Sequence, residues 1–119
     1  LVLVHVPRDC SLLFGCGSRK ECMQGTWRAL SELRAMGLAR DIGVSNFGVE
    51  QMGEIMAFGG DAPIAVNQLE YHPWVTEAHW KAVEFCHHHG IVVTAYCSMG
   101  GVESKSSVMG REHVKSISA

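Results

Sequence analysis

Four nearly continuous runs of apolar residues alternate along the chain with stretches in which apolar residues recur every three or four positions. Continuous apolar runs are typical of parallel strands buried on both faces, and the three-to-four spacing is typical of amphipathic helices. The predicted strands are 1–6, 41–45, 64–68 and 91–96. Helices are predicted between Met23 and Gly37, between Val49 and Gly59, between Thr76 and Gly90, and over 111–118. This βαβαβαβα order predicts an α/β protein with a parallel sheet, either half of an eight-stranded barrel or a small open sheet.

Glycines mark the points where the pattern changes. Gly37 and Gly90 can adopt the left-handed conformation that ends a helix, and Thr76 can cap the start of one. Gly43 lies inside an apolar strand and therefore indicates a close approach of two backbones. The helical pattern predicts that three large side chains belong to the core: Met52, Met56 and Trp80.

Composition indicates one modest domain and excludes several classes of protein. The 119 residues are 47% hydrophobic and 18% charged, and the net charge of −2 gives no basic surface for nucleic acid. No apolar run approaches the ~20 residues of a membrane helix. The absence of an initiating Met indicates a piece of a longer protein.

The five cysteines follow no metal-binding or redox pattern. They have no CxxC spacing, and Cys86 and Cys97 lie in apolar stretches where buried thiols are expected. We therefore predict a reducing, cytoplasmic compartment. Cys10 and Cys16 lie in an irregular loop, with pairing or metal binding as the alternatives. His87 to His89 occupy consecutive helical positions that point in different directions, so no metal site is predicted.

Each predicted strand ends in a polar or aromatic residue. These residues are His5, Ser45 with Asn46, Asn67 with Gln68, and Tyr96. Each of these residues also has a purely structural interpretation. His5 could be a core histidine and Tyr96 a core aromatic. Ser45 with Asn46 could cap the next helix, and Asn67 or Gln68 could be a structural amide. Because the carboxyl ends of parallel strands meet at one rim, their joint occurrence favours a ligand site. A nicotinamide, which has an amide and a flat ring, suits this set. A histidine beside it can donate a hydrogen bond to a substrate carbonyl oxygen.

Three longer motifs resemble the aldo-keto reductases. They are Asp-Ile-Gly-Val-Ser-Asn-Phe at 41–47, Val-Asn-Gln-Leu-Glu-Tyr-His-Pro at 66–73 and Ile-Val-Val-Thr-Ala-Tyr at 91–96. Leu-Val-His-Val-Pro at 3–7 resembles that family's fourth barrel strand. The resemblance implies an (α/β)8 TIM barrel of which residues 1–119 form a partial domain, about strands 4–7 with their helices. It also implies reduction of small-molecule aldehydes and ketones with NADPH, or with NADH as the alternative.

The resemblance also implies roles for individual residues. His5 would be the histidine of the family's Asp-Tyr-Lys-His catalytic set. Ser45, Asn46 and Gln68 would hold the nicotinamide carboxamide, and Tyr96 would stack against its ring. The segment from Cys97 to Met99 would contact the pyrophosphate through its backbone, although it lacks the proline usual there. Trp74 would line the substrate pocket or cover the barrel rim.

The family's Asp, Tyr and Lys come from the first three barrel strands, which precede the match. We therefore predict that residues 1–119 alone are inactive and that the full-length protein is a monomeric enzyme. One alternative is a cofactor-binding regulatory subunit similar to the potassium-channel β-subunits. Another is an inactive truncated product.

Overall fold

Four strands and three helices alternate in the part of the chain that the structure describes. The computed structural model describes residues 1–7, 17–58, 62–100 and Ser116. The strands are β1 (Val2–Val4), β2 (Ile42–Ser45), β3 (Val66–Glu70) and β4 (Val92–Tyr96). The helices are α1 (Arg19–Ala35), α2 (Val49–Ala57) and α3 (Glu77–His88). Some predictions concern residues outside these ranges: Cys10, Cys16, Gly59 and most of the predicted helix at 111–118. Of that helix only Ser116 is described, and it is helical.

The sheet is parallel throughout, as predicted, with strand order β1-β2-β3-β4. Its register aligns Val44 with Asn67, and Ser45 with Gln68. Since successive side chains of a strand point to opposite faces, this register divides the sheet into two faces. The helix face carries Ile42, Val44, Asn67, Leu69 and Val93. The opposite face, called the open face below, carries Leu3, Gly43, Ser45, Val66, Gln68, Glu70, Thr94 and Tyr96.

The core lies between the helix face and the three helices. Met52 is fully buried there, as predicted, together with Trp27, Ile42, Val44 and Cys86. Burial of such side chains is the main favourable contribution to folding.

Three burial predictions were wrong. Met56 and Trp80 are 47% and 45% exposed, because their helical positions turn them away from the sheet. Trp80 instead packs edge-on against Tyr71, with ring centroids 5.1 Å apart. Cys97 is exposed because it lies just beyond the end of β4. The prediction that the cysteines are reduced is wrong for Cys22, which is buried and disulfide-bonded.

Two helix ends and one helix start follow the predicted signals, while α1 begins at Arg19, four residues before the predicted Met23. Gly37 and Gly90 follow α1 and α3 with φ of 75° and 69°, in the left-handed region. Thr76 occupies the N-cap of α3, although its hydroxyl bonds to the His79 ring at 2.9 Å and not to a backbone N–H. No helix among the described residues has the length and apolar character needed to cross a membrane.

Candidate functional site

The carboxyl ends of all four strands meet at one rim of the open face. His5 directly follows β1, Ser45 is the last residue of β2, and Tyr96 is the last residue of β4. Gln68 lies opposite Ser45 in β3. The structure therefore brings together four of the predicted site residues, which are separated by up to 91 positions in the sequence.

Asn46 is the centre of this rim. Its φ of 62° lies in the left-handed region, which asparagine tolerates better than most residues. Its backbone N–H donates to the Gln68 carbonyl at 2.9 Å. Its side-chain Nδ2 donates to the His5 backbone carbonyl at 3.0 Å and to Ser45 Oγ at 3.1 Å. The Tyr96 hydroxyl donates to Asn46 Oδ1. One residue thus connects the ends of all four strands.

Ser45 and Tyr96 complete the network from either side. The buried Ser45 hydroxyl donates to the Gln68 carbonyl at 2.9 Å, which fixes its rotamer. Tyr96 reaches from β4 to the residue after β2, so its side chain crosses the end of β3 on the open face. The predicted stacking role of Tyr96 stays a prediction, but its ring lies over the predicted site.

The two adjacent amides, which the sequence left as alternatives, have different surroundings. Gln68 is half-buried on the open face beside Ser45. Asn67 is fully buried on the helix face and donates from Nδ2 to the Phe47 carbonyl at 2.8 Å. Asn67 is therefore the structural amide, and Gln68 stays the amide that is predicted to bind a ligand.

Glu70 is an acidic residue at the rim that the sequence reasoning missed. It pairs with Tyr96 across the sheet and lies on the open face two positions after Gln68. This spacing of two was the signal that could have identified it. Burial, and then the negative charges of Glu70 and Cys97, raise the pKa of Tyr96 above its usual value of 10.0.

The raised pKa of Tyr96 gives a first testable prediction. A difference titration at 295 nm, in which the signal of the Tyr96→Phe variant is subtracted from that of the wild type, should place phenolate formation above pH 10.0. The folded state retains this proton to a higher pH than the unfolded state, so its contribution to stability is lost as pH rises above 10.0. Glu70→Gln should lower the midpoint by removing one negative charge. A midpoint unaffected by Glu70→Gln would show that the charge of Glu70 does not contribute to the shift.

The segment after β4 is an ordered tight turn. The Gly100 N–H donates to the Cys97 carbonyl at 2.7 Å, and Cys97 and Gly100 both have positive φ, at 51° and 83°. Cys97 and Met99 are both exposed. This hydrogen bond provides a constraint in the turn that lacks the family's proline. The pyrophosphate contact stays a prediction.

The loop after β3 places Trp74 near the same rim. The Trp74 N–H donates to His72 Nδ1 at 3.2 Å, so the neutral form of this buried histidine carries its hydrogen on Nε2. That nitrogen faces Glu70 Oε1 at 3.2 Å. His72 therefore couples the loop to the end of β3, and the half-buried Trp74 stays a candidate for the substrate pocket.

The ends of the sheet border cavities of different character in the described part of the chain. A cavity of about 310 Å³ at the amino ends of β3 and β4 is lined by residues such as Trp27, Ile55 and Ile64. It contains none of the predicted site residues. A cavity of about 190 Å³ borders Asn46 and Phe47. The chemistry of the strand ends therefore identifies the candidate site better than cavity size does.

Comparison with known proteins gives one consistent result. The model of the Aldo/keto reductase family matches residues 1–115. Aldose reductase B of Dictyostelium discoideum is 37% identical over 92 residues, which cover 77% of this chain and 28% of that protein. A probable NAD(P)H-dependent D-xylose reductase of Emericella nidulans is 40% identical over 81 residues, which cover 68% of this chain and 24% of that protein.

A solved structure extends the similarity to three dimensions. The Bombyx mori aldo-keto reductase, crystallised in complex with NADP, has a TM-score of 0.60 and 29% identity, covering 81% of this chain and 30% of that one. The chain thus spans less than a third of the length of each of these three proteins.

Proposed function

This chain belongs to the aldo/keto reductase family, and we propose that the protein containing it reduces aldehydes or ketones to alcohols with NADPH, NADH being the alternative. The parallel strands form part of an (α/β)8 barrel, as predicted. The observation that carries the proposal is the network around Asn46, which joins all four strand ends into one polar rim. We further propose a cytoplasmic, monomeric enzyme in which residues 1–119 are part of one barrel domain.

The donors and acceptors at the rim fit a nicotinamide carboxamide. Both hydrogens of Asn46 Nδ2 are donated within the protein, but Tyr96 occupies only one of the two lone pairs of Oδ1. The second lone pair can accept from the carboxamide NH2. The Gln68 side chain on the same face can donate to the carboxamide oxygen, and Ser45 Oγ supports both residues. Tyr96 would contact the ring, and the backbone of Cys97 and Met99 the pyrophosphate.

His5 is the residue of this chain that would act on the substrate. Its exposed ring follows β1, while its backbone carbonyl is held by Asn46. A bound NADPH supplies the hydride; an imidazole N–H at this position orients and polarises the substrate carbonyl. We propose that the proton for the alcohol oxygen comes from the tyrosine of the family's catalytic set, which is expected in one of the first three barrel strands. Trp74 is proposed to line the substrate pocket.

The relatives favour the enzyme over the regulatory subunit, because the curated proteins described above are named as reductases. The decisive measurement is NADPH oxidation at 340 nm by the full-length protein in the presence of an aldose or an aromatic aldehyde. We expect carbonyl-dependent turnover by the full-length protein and none by residues 1–119 alone. Absence of turnover with every carbonyl tested, despite NADPH binding, would favour the regulatory alternative.

A matched pair of serine variants tests the cofactor site. Ser45 and Ser31 are both buried, and each hydroxyl donates to a backbone carbonyl at 2.9 Å. Ser45→Ala and Ser31→Ala therefore each lose one hydrogen bond to a backbone carbonyl, worth about 0.5–1.5 kcal/mol, and Ser45→Ala also loses the bond from Asn46 Nδ2. Only Ser45→Ala should weaken NADPH binding, by about tenfold, because the Ser45 hydroxyl is bonded to Asn46 and Gln68, which are proposed to hold the carboxamide. Equal NADPH affinities in the two variants would contradict the assignment of Ser45.

A further inference from the structure

Asn67 is a fully buried amide on a face of the sheet that is otherwise apolar. Its neighbours in register are Val44 and Val93, and a branched aliphatic residue at this position would pack without burying polar atoms. Asn67 Oδ1 has no hydrogen-bond partner among the described residues. Burying an unpaired carbonyl is unfavourable, so an interaction of the other half of the amide must offset it.

That interaction is the hydrogen bond from Asn67 Nδ2 to the Phe47 carbonyl at 2.8 Å. Since a carbonyl oxygen only accepts hydrogen bonds, this contact also fixes the orientation of the amide. Phe47 is fully buried and lies between the left-handed Asn46 and Gly48, the N-cap of α2. Its carbonyl lies between β2 and α2, where a buried oxygen needs another partner.

Asn67 and Gln68 hold the same short segment, Asn67 through its side chain on the helix face and Gln68 through its backbone carbonyl. The Gln68 backbone carbonyl accepts from Ser45 Oγ and from the Asn46 N–H, both at 2.9 Å. On the helix face, Asn67 binds Phe47. Residues 45–47, called the site turn below, are therefore fixed by two consecutive residues of β3. This clamp maintains the positive φ of Asn46, which directs its side chain to the other strand ends.

We propose that Asn67 is a positioning residue for the cofactor. It lies on the helix face and does not touch the ligand, but it holds the site turn so that Ser45 and Asn46 face the carboxamide. The proposal rests on the proposed function, because it takes NADPH to be the ligand that the site turn binds. It adds a residue that acts on the site through its hydrogen bond to the Phe47 backbone, while its weaker contacts to Met52 Sδ at 3.3 Å and Cys86 Sγ at 3.8 Å stay within the core.

Asn67→Leu in the full-length protein tests the proposal with two readouts. The substitution removes both the Nδ2 donor and the unpaired oxygen. Hydrogen exchange at the Asn46 amide, followed by NMR, should accelerate by about tenfold or more as the turn opens locally. The Kd for NADPH should rise by about tenfold, since displacements near 1 Å cost up to about a hundredfold in site function. Asn67→Ala, which removes the same amide without added bulk, provides a second version if the leucine variant does not fold.

Val93→Ala is the matched control, because Val93 lies beside Asn67 on the helix face and its side chain has no polar atom that could bond to the Phe47 carbonyl. It should lower the urea midpoint without changing the Asn46 exchange rate relative to other amides or the Kd for NADPH. If the Asn67 variants lose stability but keep both the Asn46 protection and the NADPH affinity of the wild type, Asn67 is only a core residue and the proposal is wrong. Failure of the wild type to bind NADPH would refute the proposed function, while the exchange data would still decide whether Asn67 holds the turn.

Discussion

His5→Leu is expected to lower kcat for carbonyl reduction by about a hundredfold, the usual effect of losing one hydrogen-bond donor to a developing oxyanion. The imidazole is the only part of His5 that changes in this experiment. Asn46 holds His5 by the backbone carbonyl, and leucine retains that group. The ring is exposed, so the substitution should leave the free energy of unfolding nearly unchanged.

The design separates catalysis from cofactor binding. Steady-state kinetics should show a loss confined to the carbonyl reaction, while the Kd for NADPH, measured by fluorescence, stays at the wild-type value. His87→Leu is the control, since His87 is also exposed but lies in the last turn of α3. A variant that retained full kcat without the imidazole would rule out the role assigned to His5. A large loss of NADPH affinity would instead place His5 in the cofactor site.

Gly43→Ala is expected to destabilise the protein by about 1–3 kcal/mol, as overpacking of a dense interior does. A Cβ at this position would collide with the backbone carbonyl oxygen of Val66 and would lie 2.9 Å from Leu3 Cδ2. The leucine can rotate away, but the carbonyl belongs to the neighbouring strand β3 and cannot. Relief of the clash requires β2 and β3 to separate, next to the contact between Ser45 and Gln68.

Urea unfolding of the full-length protein measures this loss. Gly25→Ala provides the control, because nothing lies within 4 Å of its added Cβ and Gly25 is inside the exposed part of α1. That variant should gain up to about 1 kcal/mol from the higher helix propensity of alanine. The two Gly-to-Ala changes should therefore have opposite signs. A Gly43→Ala protein as stable as the wild type would show that the strands can adjust without cost.

Local signals in the sequence predicted the element order and most of the boundaries. Continuous apolar runs identified the strands, and Gly37 and Gly90 identified the helix ends, because these signals depend on neighbouring residues alone. The burial of Met56 and Trp80 was predicted wrongly. A helical pattern gives the spacing of apolar residues, but it does not show how much of the helix surface packs against the sheet. The parallel alternation also predicted that His5, Ser45, Gln68 and Tyr96 share one rim.

The sequence by itself determined which residue types stand at the strand ends. It also determined that they share one rim, because the carboxyl ends of parallel strands lie at the same edge of the sheet. Only the tertiary structure decided what each of them does there. It placed Asn67 in the core and Gln68 on the open face, because the register of β3 against β2 sets which side chains turn towards the helices. It also made Asn46 the centre of the network, through a backbone conformation and contacts between residues up to 50 positions apart. Such contacts exist only after the chain has folded, so no local pattern contains them.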